Sequence, residues 1–193
     1  DVFKVSNNDN MEVMFAFRSS PDAPYMPGNV WAPSEMDGWS GGPAKILWVQ
    51  NKYPEQPRKH SYLLLDFTQN IHDPSAPIIN WTHSLDGKPY VGKYNMPNLT
   101  LDEQIGGGPS GLEIKILRFA DVLLMYAESA NMAEGGPSQL AVDRLNLIID
   151  RANEGTGSET RATTGMSQVN FDKKVIDERD FELCFENDRY FDV

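Results

Sequence analysis

Residues 114 to 133 read I-K-I-L-R-F-A-D-V-L-L-M-Y-A-E-S-A-N-M-A. Apolar side chains cover most of the circumference of this stretch when it is drawn as a helix, which is typical of a helix buried between neighbours. Gly135-Gly136 follows, and glycine adopts the left-handed conformation at a helix C-terminus without steric cost. The stretch therefore predicts a long buried helix that ends at the glycine pair.

A second helix is predicted from about 139 to 152, with Ser138 as its N-cap. Its apolar stripe recurs at spacings of four, three and four: Ala141, Leu145, Ile148 and Ala152. The two helices would form a hairpin. A polar linker over 153–170 follows, and Asn170 can cap a third helix that begins near Phe171.

The third predicted helix carries an unusual density of charge. Residues 176 to 193 read I-D-E-R-D-F-E-L-C-F-E-N-D-R-Y-F-D-V, which puts Glu178, Glu182 and Glu186 at successive i, i+4 positions. On the first helix, Arg118 and acidic residues fall on one stripe of an apolar cylinder, and buried charges need partners. We therefore predict a structural ion-pair framework made of Arg118, Asp121, Glu128, Glu178, Arg179, Glu182, Glu186 and Arg189.

The first half of the chain has a different character. Twelve of the thirteen prolines and all four tryptophans precede residue 110, and the prolines exclude a long helix there. Short apolar runs at 12–17, 46–49 and 61–67 predict short strands or buried extended segments. The aromatic content argues against disorder, so we expect long ordered loops.

Two regions follow from this contrast. Residues 1–110 are predicted to be a loop-rich, ligand-facing region, and residues 111–193 a helical scaffold. The glycine-rich segment 105–111 is the predicted hinge between them. With 193 residues and 40% hydrophobic content, the chain could form one domain, but we expect it to be a piece of a longer protein.

Composition excludes several classes of function. A net charge of -11 argues against nucleic-acid binding, because phosphates are bound by clustered Lys and Arg. Cys184 is the only cysteine, so the chain holds no disulfide framework and no CxxC metal motif. Apolar runs are too short for a membrane span, which takes roughly 18 residues. If the protein is exported, we expect the signal for export to lie upstream of this chain.

Motifs for enzyme chemistry are missing from the sequence. There is no GxSxG, Walker or dinucleotide motif. His60, His72 and His83 have no zinc-binding spacing, so neither a metal nor a cofactor is predicted. The acids Glu178, Glu182 and Glu186 leave a glycoside hydrolase as the less favoured alternative, because catalytic carboxylates need a cleft.

The loop aromatics are the better candidates for a binding site. The segments Y-M-P-G-N-V-W over 25–31 and M-D-G-W-S-G-G over 36–42 combine flat apolar rings with amides, hydroxyls and small residues. A sugar ring suits this mixture, since its C–H face stacks on an aromatic ring while its hydroxyls form hydrogen bonds. The predicted ligand-binding residues are Tyr25, Asn29, Trp31, Asp37, Trp39 and Trp81.

The scaffold motifs also resemble a known family. L-R-F-A-D-V-L-L-M-Y-A-E over 117–128, the Gly-Gly turn, and E-R-x-x-E-L and E-N-x-R-Y-F-D over 178–192 resemble the SusD/RagB family in their order and spacing. The resemblance implies a mainly α fold: a helical scaffold with tetratricopeptide-like hairpins in the full protein, long ordered loops and a few short strands.

The same resemblance implies a function. It suggests a lipid-anchored protein at the cell surface, on the outer membrane of Bacteroidetes, which is not an enzyme. Such a protein would bind an oligosaccharide or polysaccharide and deliver it to a SusC-like TonB-dependent transporter. The alternatives left open are a peptide-binding module and a module that only docks to the transporter.

Overall fold

Short paired strands and loops make up most of the first half of the chain. The computed structural model describes residues 2–19, 28–94 and 111–186. Its strands are Val13–Phe17 (β1), Leu63–Leu64 (β2), Asp66–Thr68 (β3), Ile78–Asn80 (β4), Tyr90–Val91 (β5) and Ile114–Arg118 (β6). They form three two-stranded sheets, in which β1 pairs with β6, β2 with β5 and β3 with β4.

Helices dominate the second half. The α-helices are Ile46–Asn51 (α1), Pro57–Tyr62 (α2), Phe119–Glu134 (α3), Gln139–Asn153 (α4) and Gln168–Glu182 (α5). Short 3₁₀ turns lie at Val5–Asn7, Gly28–Trp31, Ser34–Met36 and Trp81–His83. The mainly α fold class with few short strands is thereby confirmed.

The chain divides into two compact units. The first comprises Asp1–Tyr53 and Lys59–Lys115, and the second comprises Pro54–Arg58 and Ile116–Val193. The short segment 54–58 thus belongs to the helical unit, although the proline-rich sequence around it is typical of the first half.

The core of the first unit is built around an enclosed lysine as well as apolar side chains. Lys93 is fully buried, and its Nζ lies 3.9 Å from the centre of the Tyr62 ring and 4.9 Å from that of Phe3. A cation over an aromatic face is attracted by the ring quadrupole, and more strongly when both are desolvated. Phe3 also meets Tyr62 edge-on at 5.6 Å, so the aromatic rings enclose the charge that burial would otherwise disfavour.

The core of the second unit is conventional. Buried side chains from all three long helices and the linker pack into one cluster: Ala120, Leu124, Ala127, Ala141, Val142, Leu145, Ile148, Ile149, Ala162, Phe171, Val175 and Leu183. The hairpin of α3 and α4 turns at Gly135, which is left-handed with φ of 73°. Ser138 caps α4 as predicted, accepting a hydrogen bond from the Ala141 amide at 3.4 Å.

Asparagine side chains hold the polar linker between α4 and α5 in one conformation. Asn146 donates to the Ala162 carbonyl at 3.0 Å and accepts from the Ala162 amide at 2.8 Å. Asn153 makes the same reciprocal pair with the backbone of Glu159, at 2.8 Å and 3.3 Å. The linker is therefore fixed to α4, and the side chain of Glu159 has a defined position.

Three local predictions were wrong. Residues 114–118 form strand β6 and not the first turn of a helix, and residues 46–51 form helix α1 and not an extended segment. A short apolar run fits the periodicity of a helix or of a strand, so the segments that pack or pair with it decide which one forms. Residues 114–118 form a strand because they pair with β1. The third helix begins at Gln168 with Ser167 as its cap and ends at Glu182, which leaves Glu186 beyond it.

Candidate functional site

The loop over 28–42 carries the predicted aromatic site and is itself folded. The Ser40 amide donates to the Ala32 carbonyl at 2.9 Å, and the Gly41 amide donates to the Val30 carbonyl at 2.9 Å. The Gly38 amide donates to the Pro33 carbonyl at 3.0 Å. These bonds double the chain back on itself, so Trp39 lies on the returning arm of a closed turn, between the bonds made by Gly38 and Ser40.

Lack of space explains why glycines lie near Trp39. A Cβ on Gly38 would collide with the Ala32 carbonyl, and one on Gly42 would collide with the Trp31 ring. Asp37 and Ser40 both have positive φ, at 56° and 53°. Left-handed residues other than glycine are uncommon and are tolerated where the surrounding structure fixes them.

Asp86 joins this loop to a later segment of the first unit. Its Oδ2 accepts from the Ser40 hydroxyl at 2.8 Å and from the Tyr90 hydroxyl at 2.5 Å. The hydrogen bond from Tyr90, followed by that from Ser40, holds the pKa of Asp86 below its usual range. Burial, aided by Asp86, raises the pKa of Tyr90 to about 12. A second tie joins the Leu85 amide to Glu35 Oε1 at 2.7 Å.

The aromatic candidates differ in exposure. Trp39 is 68% exposed, Trp31 is half-buried, and Trp81 is only 8% exposed. Trp81 begins a 3₁₀ turn capped by Asn80, and its ring belongs to the core, so it offers no stacking face and that assignment was wrong. Tyr25 lies outside the described residues, and Asn29 lies in the turn Gly28–Trp31.

Asp37 lies two residues before Trp39 in the sequence and carries an exposed carboxylate. Its carboxylate pairs with His72 Nε2, and both side chains are more than half exposed. No group of three or more potential metal ligands occurs within the described part of the chain. His72 is a hydrogen-bonding partner of Asp37, and Nδ1 of His83 lies 3.3 Å from the Thr82 hydroxyl.

A second group of functional candidates, the carboxylates, lies in the helical unit. Glu182 is fully buried, and its two oxygens accept hydrogen bonds from three arginines. Oε1 accepts from Arg118 at 3.0 Å and from Arg151 at 2.7 Å, and Oε2 accepts from Arg58 at 2.8 Å. Glu186 accepts a two-pronged bond from Arg118, at 2.7 Å and 2.8 Å.

The network extends to two more acids. Arg58 also donates to Glu178 at 2.5 Å and to Glu159 at 3.4 Å. We refer to Arg58, Arg118, Arg151, Glu159, Glu178, Glu182 and Glu186 as the charge network. Burial raises the pKa of Glu178 to about 8, against the opposing attraction of Arg58. Lys174 also donates to Glu159 at 3.4 Å, so four cationic side chains face the four carboxylates.

The predicted ion-pair framework overlaps this network in part. Arg179 donates to Asp121 at 2.8 Å, apart from the network bonds described above. Glu128 is half-buried, and the described residues give it no ion-pair partner. Arg118 ends β6 and is not on the helix, so the predicted helical stripe with Asp121 and Glu128 was wrong. Arg189 lies outside the described residues.

Sequence reasoning missed Arg58, Arg151 and Glu159. The predicted framework held five acids against three arginines, and this imbalance signalled that further cations were needed. Arg151 lay on a predicted helix and could have been found this way. Arg58 follows Pro57 in the proline-rich half, and Glu159 lies in the polar linker, so neither carried a periodic signal.

Comparison with known proteins identifies the family. The family model described as "SusD family" matches residues 44–193, and the chain belongs to this family. A SusD-like protein P2 from Formosa agariphila is 37% identical over 79 residues, which cover 40% of this chain and 15% of that protein.

Solved structures share the fold. A SusD superfamily protein from Parabacteroides distasonis matches with a TM-score of 0.70 at 22% identity, covering 97% of this chain and 40% of that one. Surface glycan-binding protein A from Bacteroides thetaiotaomicron, in complex with laminarihexaose, matches with a TM-score of 0.68 at 18% identity. That match covers 100% of this chain and 44% of the other. This chain thus spans less than half the length of these relatives.

One further observation concerns membranes. Among the helices in the described ranges, none combines the length and the apolar character that a membrane crossing needs.

Proposed function

We propose that this chain is the ligand-binding part of a cell-surface protein that binds an oligosaccharide or polysaccharide through Trp39. The observation that carries the proposal is a tryptophan that is 68% exposed on a loop closed by backbone hydrogen bonds. An exposed indole is costly in water, and one held rigidly offers a stacking face without the entropy cost of ordering it on binding.

The surroundings of Trp39 suit a sugar. Asp37 and His72 supply an exposed acceptor and donor pair, and Ser40 adds a hydroxyl. A pyranose ring presents an apolar C–H face and an edge of hydroxyls, so it needs an aromatic plane with polar groups at its border. The relative crystallised with laminarihexaose supports a glycan as the class of ligand.

Affinity electrophoresis of the 193-residue chain through gels containing laminarin, starch or other polysaccharides tests this proposal. We expect one polysaccharide to retard the chain, Trp39→Ala to abolish the retardation, and Trp39→Phe to preserve part of it. Leu85→Ala is the matched control, because Leu85 is also an exposed apolar side chain. Retardation that survives Trp39→Ala would refute the assignment of Trp39.

Delivery to a transporter is the second part of the proposal. In the full-length protein we expect a lipid anchor to hold this module on the outer membrane, where it would pass its ligand to a SusC-like TonB-dependent transporter. Membership of the SusD family supports this role. Pull-down of the full-length protein from solubilised outer membranes should recover a β-barrel transporter. If none co-purifies under several detergents, this part of the proposal fails.

The alternatives make different predictions. A peptide-binding module would bind no polysaccharide. It would bind peptides, and Trp39→Ala would weaken that binding. A purely transporter-docking module would bind neither and still co-purify with the barrel.

A glycoside hydrolase is the least supported alternative. Glu178, Glu182 and Glu186 are buried and bound by arginines, and a hydrolase needs carboxylates that open onto a cleft. We therefore propose that the module binds without catalysis, and incubation with a retained polysaccharide should release no reducing ends.

A further inference from the structure

A pocket of about 400 Å³ lies in the first unit, on the turn that precedes β1. Its polar wall comes from Asn8, Asp9, Asn10, Arg18 and Glu113, and its apolar wall includes Met11, Met14 and Phe15. Ligand pockets span roughly 300–1,000 Å³ and combine apolar surface with a few fixed polar groups. The volume is therefore sufficient for a sugar ring.

Arg18 is the fixed polar group of this pocket. Its Nη1 donates to Asp9 Oδ1 at 2.8 Å and to Glu113 Oε1 at 2.9 Å. Glu113 is itself buried beside Lys115, whose Nζ lies 3.6 Å away. Two carboxylates thus hold one nitrogen of a guanidinium whose side chain remains 72% exposed.

The other edge of the guanidinium is available. Within the described residues, Nε and Nη2 of Arg18 donate to no protein acceptor. These two N–H groups are parallel and form the fork that matches both oxygens of a carboxylate. Because Nη1 is already fixed, the fork is oriented before any ligand arrives, which lowers the entropy cost of binding.

Local charge does not oppose an acidic ligand. Arg18 and Lys115 balance Asp9 and Glu113, so a carboxylate at the fork meets a neutral cluster. The Asn10 side chain is also oriented, since its Oδ1 accepts from the Glu12 amide at 2.8 Å. Its Nδ2 can then donate to a hydroxyl of the same ligand.

From these contacts we propose that this pocket is a second binding site, separate from Trp39, which takes an acidic pyranose. The carboxylate of a uronic acid residue lies on the Arg18 fork, its ring lies against Met14, and a hydroxyl accepts from Asn10. The site does not depend on the glycan function proposed for Trp39.

Two probes that differ in one group test the carboxylate. Methyl β-D-glucuronide carries a carboxylate where methyl β-D-glucoside carries a hydroxymethyl group. Titration of each into the ¹⁵N-labelled chain should shift the amide signals of residues 8–18 and 113 with the glucuronide. The glucoside should bind about tenfold more weakly, the loss expected for a charge-assisted hydrogen bond. Equal binding of the two, or no shifts with either, would overturn the proposal.

Variants test the fork. Arg18→Lys keeps the charge but removes the two parallel donors, and we expect it to weaken glucuronide binding about tenfold. Arg161→Ala is the matched control, because Arg161 is an exposed arginine with one ion pair in the other unit. An Arg18→Lys variant that binds as tightly as the original chain would refute the fork.

Two further measurements distinguish this site from a general carboxylate site and from the loop at Trp39. Acetate alone at the same concentration should not reproduce the shifts, and if it does, the site takes any carboxylate and the pyranose assignment is wrong. Trp39→Ala should leave the glucuronide titration unchanged. If it removes the shifts, the acidic sugar binds at Trp39 and the second site does not exist.

Discussion

In the first unit, most of the Trp39 side chain is exposed to water. In the second unit, four carboxylates and two of their three arginine partners are buried. Each arrangement is costly when considered alone. The exposed aromatic ring is tolerated because its loop is closed and tied to Asp86. The buried charges are tolerated because each has a hydrogen-bonded partner. The exposed ring is the basis of the binding role that we propose, and the buried charges are the basis of the structural role that we propose for the charge network.

Removal of the Glu182 carboxylate, which lies at the centre of the charge network, should have the largest effect on stability. We expect Glu182→Ala to lower the free energy of unfolding by about 3–5 kcal/mol, because it leaves buried arginines without their shared partner. Chemical denaturation followed by circular dichroism measures the change. Lys173→Ala is the control: it removes an exposed pair with Asp177 at 2.7 Å and should cost less than about 0.5 kcal/mol. Similar losses in both variants would contradict a structural charge network.

Trp39 and Trp81, both in the first unit, should behave in opposite ways. Trp81→Ala should lower the unfolding free energy by about 3 kcal/mol or more, since it empties a buried site. Trp39→Ala should leave the unfolding free energy within about 0.5 kcal/mol of the original, because the ring is exposed. Thermal and urea denaturation of both variants measure this difference. A large loss with Trp39→Ala would mean that its ring supports the loop.

The pH dependence of stability should report on Glu178. Because its folded pKa of about 8 exceeds the ordinary value of 4.5, the unfolded chain releases this proton first as the pH rises. The resulting contribution to stability is complete below about pH 4.5 and is lost as the pH rises to about 8, by at most about 1.4 kcal/mol per pH unit.

Urea denaturation from pH 5 to pH 8 measures this slope, and Glu178→Gln should flatten it while keeping a hydrogen bond to Arg58. Asp86 and Asp73 have lowered pKa values and act below this window. A slope that is unchanged in Glu178→Gln would show that another group titrates.

The smallest predicted effect concerns the hairpin turn of the scaffold. Gly135→Ala should cost about 1 kcal/mol, because the positive φ of 73° strains any residue with a Cβ. Gly136→Ala is the matched control, since Gly136 is not left-handed and its Cβ would meet open space. That change should be neutral or slightly stabilising. Polysaccharide retardation should be the same in both variants if binding belongs to the first unit.

Sequence patterns predicted the helical unit better than the loops. The apolar stripe and Ser138 identified α4 to within one residue of its end, because helix periodicity is repeated over many residues. The strand β6 was missed because five apolar and charged residues fit either period. The pattern of an aromatic residue among small ones selected Trp39, which is exposed, but the aromatic content of the loops also selected Trp81, which is buried.

The sequence by itself determined the family, the helical hairpin with its glycine turn, and the presence of a buried set of charges in the closing segment. Those properties depend on local periodicity, caps and residue order, which neighbours along the chain carry. Only the tertiary structure decided that Arg58 and Glu159 complete the charge network, that Trp39 is exposed and Trp81 is not, and that the Arg18 fork faces a pocket. These depend on contacts between residues that are distant in sequence, and burial is set by what packs against a side chain.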